Sequence, residues 1–428
     1  MLLPNECFRE DRQDLQVEQD LNGTGSQSLT DEDINNKYKR GEIRIVTEQA
    51  RYPLDTIPGM LAGGKYTLDP EYQRRKRWNN ARKSRLIESF IMNVPIPPIF
   101  LYEVEYSKYE VMDGQQRLNA INDFYANRFA LEGLQYWKEL NNRFYNDLPD
   151  QVRSGIDRRY LSSVVLLEET AKTTQEAEHL KRIVFERLNS GGEKLTAQET
   201  RNALLNGKFN QLCIKLATND KFRQMWSLPL ESEIQRVSSI DDLSYDPKYD
   251  PKRLDIYKKM EDVELVLRFF AYRHLDKQGQ SSIDSFLDEF LKEANNWPDE
   301  LLEKLREIFE NTIDLIYEVF GASAFIPFSG KIKQHTPRKS VYDPLMQVFS
   351  RYLIHGSILI EKAQKIKDHL SSQEPKLDLF KDSNGLNRDI SLFDGRYNNP
   401  SDVRARIKYF EEVVNIVISQ QSNEIVNQ

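Results

Sequence analysis

One run, Val111–Ala120 (VMDGQQRLNA), constrains this chain more than any other, because its hydrophobic period changes partway through. Upstream, Tyr109–Met112 reads as a strand. From Leu118 the apolar positions Leu118, Ile121 and Tyr125 recur at i, i+3 and i+7, a helical stripe. A strand that becomes a helix across Asp113-Gly114 needs a tight corner. The helix start then presents N–H groups without intrahelical partners at the positive end of the helix dipole, a place suited to an anion. Arg117 falls in the first turn, where a cation is unfavourable unless something negative lies nearby. A phosphate site is the expectation.

Part of this motif also has a purely structural reading. Asp113 can serve as N-cap, Gln116 can complete a capping box three residues on, and Gly114 can make the turn. Gln115 and Arg117 are left over. A carboxylate beside a bound phosphate is repelled unless a metal bridges the two or the carboxylate orients a water. Asp113 is therefore the expected metal ligand and, with Gln116, the expected catalytic residue, while Gly114, Gln115 and Arg117 are expected to bind phosphate.

Around this corner the chain reads as α+β up to about residue 206. Ile43–Thr47, Ile99–Val104, Tyr109–Met112 and Ser162–Leu167 have strand texture. Asn79–Asn93, Gln115–Ala126 and Thr174–Asn189 have helical periodicity. Residues 1–40 are polar and read as a loosely ordered arm. Beyond 206 strand signals almost vanish. Stripes such as Ile256, Met260, Val263, Leu267 and Phe270, then Leu301, Leu305 and Ile308, then Val403, Ile407, Phe410, Val414 and Val417, predict an all-α domain over 207–428. Ser238–Arg253, with Pro247 and Pro251, reads as a loop.

Two further segments can carry chemistry. Pro70–Arg85 holds Arg74, Arg75, Lys76, Arg77, Arg82, Lys83 and Arg85 against the single acid Glu71, with Trp78 as a stacking surface. Such a cluster can neutralise phosphates of a nucleotide or of DNA, although a solvated basic turn would look the same. In Phe185–Arg201, Thr196 and Glu199 form a capping box that predicts a helix start, and Gly191-Gly192 ends the preceding helix. Asn189, Ser190 and Lys194 remain in a donor-rich loop able to close over a ligand.

Composition narrows the classes. The net charge of −7 argues against a general nucleic-acid coat protein, so any DNA contact must come from a local patch. Cys7 and Cys213 are too far apart for a disulfide framework or a zinc knuckle. The histidines are dispersed, with no metal-ligand spacing. No apolar run reaches transmembrane length and the N-terminus lacks a signal-peptide pattern, which makes the cytoplasm the expected location.

Three segments in order, YQRRKRW followed by VPIPPIFLYE, then VMDGQQRLNAI, then FERLNSGGEKLTAQE, resemble the N-terminal domain family of GmrS/GmrD-type modification-dependent restriction systems. That family is similar in fold to ParB and sulfiredoxin. The resemblance covers about residues 45–205 and implies a small mixed sheet with helices, followed here by the all-α extension. It also implies binding, and often hydrolysis, of a nucleoside triphosphate with Mg²⁺, coupled to defence against foreign DNA. On that basis Asp113, Gln115, Gln116 and Arg117 carry over as site residues, joined by Gln73, Arg74 and the loop Asn189, Ser190, Gly191 and Gly192. Expected partners are a nucleotide, DNA and a second protein of the defence system, with no membrane. Many relatives append a histidine-asparagine-histidine nuclease, and no His-rich segment here could hold its metal. The leading expectation is a nucleotide-hydrolysing sensor or regulator of a restriction system. One alternative is a DNA-binding or DNA-cleaving component gripping the backbone through Arg74–Arg85. The other is a non-catalytic interaction module.

Overall fold

The computed structural model describes residues 30–40, 47–68, 78–167, 173–189, 195–236, 243, 246, 248–277, 282–328, 336–372 and 400–426. The first helix, α1 (Asp31–Arg40), lies in the expected polar arm. Thr30 and Asp33 cap each other reciprocally at its start, which gives a polar stretch a helix without an apolar stripe.

Next comes a five-stranded mixed sheet, made of β1 (Thr47–Pro53), β2 (Tyr66–Thr67), β3 (Ile99–Glu105), β4 (Lys108–Asp113) and β5 (Tyr160–Leu166), in the order β1-β5-β3-β4-β2. β3 and β5 are parallel, β3 and β4 antiparallel, and the edge strand β1 is antiparallel to β5. Alternation along the strands divides two cores. Ile99, Leu101, Val111, Leu161 and Val165 face one side, whereas Phe100, Tyr102, Met112 and Leu166 face the other. Helices α2 (Ile57–Ala62), α3 (Asn80–Ile91), α4 (Gln115–Tyr125) and α5 (Asp150–Asp157) accompany the first face, sealing it with Ile57, Ile87, Leu118, Ile121, Phe124 and Ile156. The second face is covered by α6 (Thr174–Asn189) and α7 (Ala197–Leu204) through Phe185 and Ala203. The edge strands meet across their side chains, the Tyr66 hydroxyl lying 3.2 Å from that of Tyr52.

Between α4 and α5 the chain is largely irregular, yet it is stapled. The buried Glu88 carboxylate accepts from the backbone N–H groups of Gln135, Tyr136 and Trp137 at 3.2, 2.7 and 2.9 Å. Burial alone would raise the Glu88 pKa, but these three donors outweigh it and hold the group below the ordinary glutamate value.

The remaining described elements are helical: α8 (Lys208–Leu216), α9 (Asp220–Trp226), α10 (Glu231–Ile234), α11 (Pro251–Lys258), α12 (Glu261–Ala271), α13 (Ile283–Ala294), α14 (Asp299–Phe320), α15 (Lys339–Arg351), α16 (Gly356–Glu361), α17 (Ala363–Ser372) and α18 (Pro400–Val426). One large core runs through them, with Phe209, Phe270, Phe309, Tyr342 and Phe410 among its members. The fold class is thus an α+β part with a mixed sheet and then a helical part.

Several sequence boundaries shift. The first strand starts at Thr47 rather than ending there, and Ile43–Val46 lie outside the described residues. β2 pairs through two residues only, too short to show a period. The stripe Ile256–Phe270 is two helices, because Met260 sits in a left-handed conformation (φ 57°) between them. In the expected loop 238–253, α11 already begins at Pro251, capped by Asp250, whose carboxylate accepts from Lys252 N.

Candidate functional site

β4 ends at Asp113 and α4 begins at Gln115, so the sequence-predicted corner exists. Its construction differs from a capping box. The N-cap is Gly114, with φ 98° and ψ 6° and no side-chain cap. Asp113 is instead the last strand residue, opposite Phe100, and the register between β3 and β4 shifts just before it, with Leu101 opposite Val111. Such a bulge re-aims the neighbouring side chain. Here it leaves Asp113 directed toward its own helix.

Gly114 is required on two counts. Its φ lies where L-residues are strained, and a Cβ would sit 2.3 Å from Ile99 Cγ2 and 2.8 Å from Ile99 Cβ. The strand below therefore fits directly against the corner.

Arg117, the residue with no evident structural role in the sequence, has one in the fold. Its guanidinium donates to Asp113 Oδ2 at 2.8 Å, to the Pro98 carbonyl at 3.2 Å and to the Pro97 carbonyl. The side chain is 12% exposed against 46% for Asp113. Burial draws the Arg117 pKa below its usual value, and the Asp113 charge opposes that. The carboxylate and two carbonyls supply the negative potential that a first-turn cation needs. The proline-rich run VPIPPI is the available signal, since prolines have no N–H and neighbouring carbonyls then look elsewhere for donors.

Gln115 is buried, whereas Gln116 reaches sideways and accepts the Trp78 N–H at 3.1 Å on Oε1. That bond ties the corner to the entrance of α3, where Asn79 caps the helix by accepting from Arg82 N at 2.9 Å. Nothing in the sequence pattern marks Trp78 as the partner of Gln116.

The basic cluster is divided. Gln73, Arg74, Arg75, Lys76 and Arg77 lie outside the described residues. Arg82 stacks over Trp78, its guanidinium carbon 4.8 Å from the ring centroid. Lys83 pairs with Asp123 at 2.8 Å, and Arg85 is exposed. Asn189 is the last residue of α6, its side chain outside the described set, as are Ser190, Gly191 and Gly192. The capping box after them forms as predicted, with Glu199 N donating to Thr196 Oγ1 and Thr196 N to Glu199 Oε2. Among the described residues no group of three or more His, Cys, Asp or Glu is placed to hold a metal. Nor is any helix there long and apolar enough to cross a membrane.

The sheet, the flanking helices and this corner define an α+β module whose polar corner is joined to a helical half. Residues 57–206 match the family described as GmrSD restriction endonuclease, N-terminal domain, in keeping with the three sequence segments. No curated protein and no solved structure matches the chain.

Proposed function

We propose that the corner at Asp113–Arg117 receives the triphosphate of a nucleotide together with Mg²⁺, making this chain the nucleotide-responsive component of a restriction-type defence system. The observation that carries this reading is Asp113: a carboxylate 46% exposed, fixed by Arg117 at the N-terminus of α4. A lone carboxylate fits Mg²⁺, which is commonly held by one or two carboxylates with substrate phosphates and waters completing its shell. Bound there, the ion would neutralise charge on the phosphates.

The roles of the protein groups derive from their contacts. Arg117 pairs with Asp113 and aims it, so it is a positioning residue in this reading rather than the direct phosphate ligand expected from sequence. The N–H groups in the first turn of α4 would face the phosphate oxygens. Gln116, with its carbonyl oxygen engaged by Trp78, would turn its amide nitrogen to the ligand or to an attacking water.

The test pairs thermal stability with phosphate release, using the four ribonucleoside triphosphates with Mg²⁺ on wild type, Asp113→Ala and Arg117→Ala. At a hundredfold excess over Kd, binding raises stability by about 2.7 kcal/mol. That gain and the phosphate release should disappear in both variants. Equal release from all three proteins, or no stabilisation of wild type by any nucleotide, would refute the proposal.

A further inference from the structure

A second polar feature lies near the same end of the sheet, and no motif in the sequence marks it. Arg51, Asn93, Arg158, Arg159, Tyr160 and Ser162 line a concavity of about 340 Å³. They come from separate stretches of chain. Arg51 lies on β1 directly opposite Ser162 on β5, and Tyr160 is two residues earlier on the same strand face. Arg158 ends α5 as its C-cap and Arg159 is the next residue. Asn93 closes the turn after α3, at φ 56°.

Every one of these side chains can donate a hydrogen bond and none is a carboxylate. Among the described residues Arg51 and Arg158 form no ion pair, and both are exposed. Arg159 is fixed in place, its Nε donating to the Phe90 carbonyl at 3.2 Å and its own carbonyl accepting from Leu54 N at 2.9 Å. Three guanidinium groups around one concavity repel each other unless an anion joins them. By contrast, Lys83, Arg128, Arg153 and Arg182 each have a carboxylate partner. Planar guanidinium forks match phosphate oxygens in a bidentate way. The Tyr160 side chain, 58% exposed, adds an aromatic surface beside them.

We propose that this concavity is a contact site for the phosphodiester backbone of a nucleic acid. The open, shallow setting on a sheet face suits a continuous strand passing across it, with arginines on consecutive phosphates and Tyr160 against a sugar or base. The proposal stands on residues distinct from the nucleotide corner and does not depend on that reading.

Fluorescence anisotropy with a labelled duplex, with the same sequence as single strand and with inorganic phosphate as competitor, tests it on the full chain. The double variant Arg51→Ala/Arg158→Ala removes only exposed side chains. It should weaken duplex binding at least tenfold at 0.1 M salt and reduce the log–log salt slope by about 1.8, at about 0.9 for each phosphate no longer neutralised. Lys208→Ala, another exposed cation remote in sequence, should leave both unchanged. Nucleotide-induced stabilisation should survive the double variant, which separates failure here from failure at Asp113. Duplex affinity within twofold of wild type with an unaltered slope would overturn the proposal. So would phosphate binding that needs Arg51 and Arg158 while nucleic-acid binding does not, because that assigns the concavity to a free anion.

Discussion

Gly114→Ala isolates what the corner costs to build. Alanine at φ 98° is held in a left-handed backbone region, which costs about 1–2 kcal/mol. The new Cβ would also lie 2.3 Å from Ile99 Cγ2, so β3 or α4 must move, and forcing an extra methyl into a packed site costs about 1–3 kcal/mol. Together these give roughly 2–5 kcal/mol, a large part of the 5–15 kcal/mol that holds a domain together. Urea denaturation monitored by tryptophan fluorescence measures it, because Trp78 and Trp137 both report on this part of the chain. The companion variant Ile99→Ala removes the Cγ2 methyl while leaving Cβ, so in the double variant the steric share should fall and the backbone share remain. The two substitutions should therefore be non-additive, with an interaction energy of about 1 kcal/mol or more. A Gly114→Ala protein within about 0.5 kcal/mol of wild type, or strict additivity with Ile99→Ala, would refute the packing argument.

Glu88→Gln should cost about 1.5–3 kcal/mol at neutral pH, since hydrogen bonds to a charged acceptor are replaced by neutral ones. Because the folded Glu88 pKa is depressed, its contribution is present above the ordinary value of 4.5 and is lost as pH falls through the lower folded value. The stability gap between Glu88→Gln and wild type should accordingly narrow below pH 4.5, and a gap constant across acid pH would disprove the assignment. Arg201→Ala leaves Glu264, Asp284 and Asp288 without their shared cation and should cost about 3 kcal/mol. Calorimetry should then show the α+β part and the helical half melting in separate steps; a single transition at the wild-type midpoint would exclude the role.

Where the chain has strong local period, sequence and structure agree closely. Thr174–Asn189 forms a helix with those bounds, and the Thr196/Glu199 box forms the predicted cap. The position of β1 is hard to read because Thr47–Pro53 is a mostly exposed edge strand with little apolar alternation. The corner is legible as a strand-to-helix turn but not in its wiring. Asp113–Gln116 satisfies the spacing of a capping box, yet a bulge and a left-handed Gly114 rotate Asp113 onto Arg117. Arg51, Arg158 and Arg159 carry no joint signal in sequence, because only the pairing of β1 with β5 brings them together. Arg201 is likewise invisible there. Its Nε and Nη2 reach Asp288 and Asp284 at 2.7 and 2.9 Å, carboxylates more than eighty positions away.

The helix α7 has a double allegiance that matters for how such chains are assembled. By likeness it closes the restriction-type domain, whose match ends at residue 206. By its bonds it belongs equally to the helical half. Thr196 Oγ1 donates to the Lys259 carbonyl, Asn295 donates to the Leu205 carbonyl, and Arg201 holds three acids from beyond residue 206. Ala203 on the same helix packs with Met112, the residue next to Asp113. The stretch that matches the family and the stretch that is bonded together therefore have different borders. A helical half exchanged for another at residue 206 would have to bring its own acids for Arg201, and any displacement of that half would arrive one residue from the candidate site without crossing a linker.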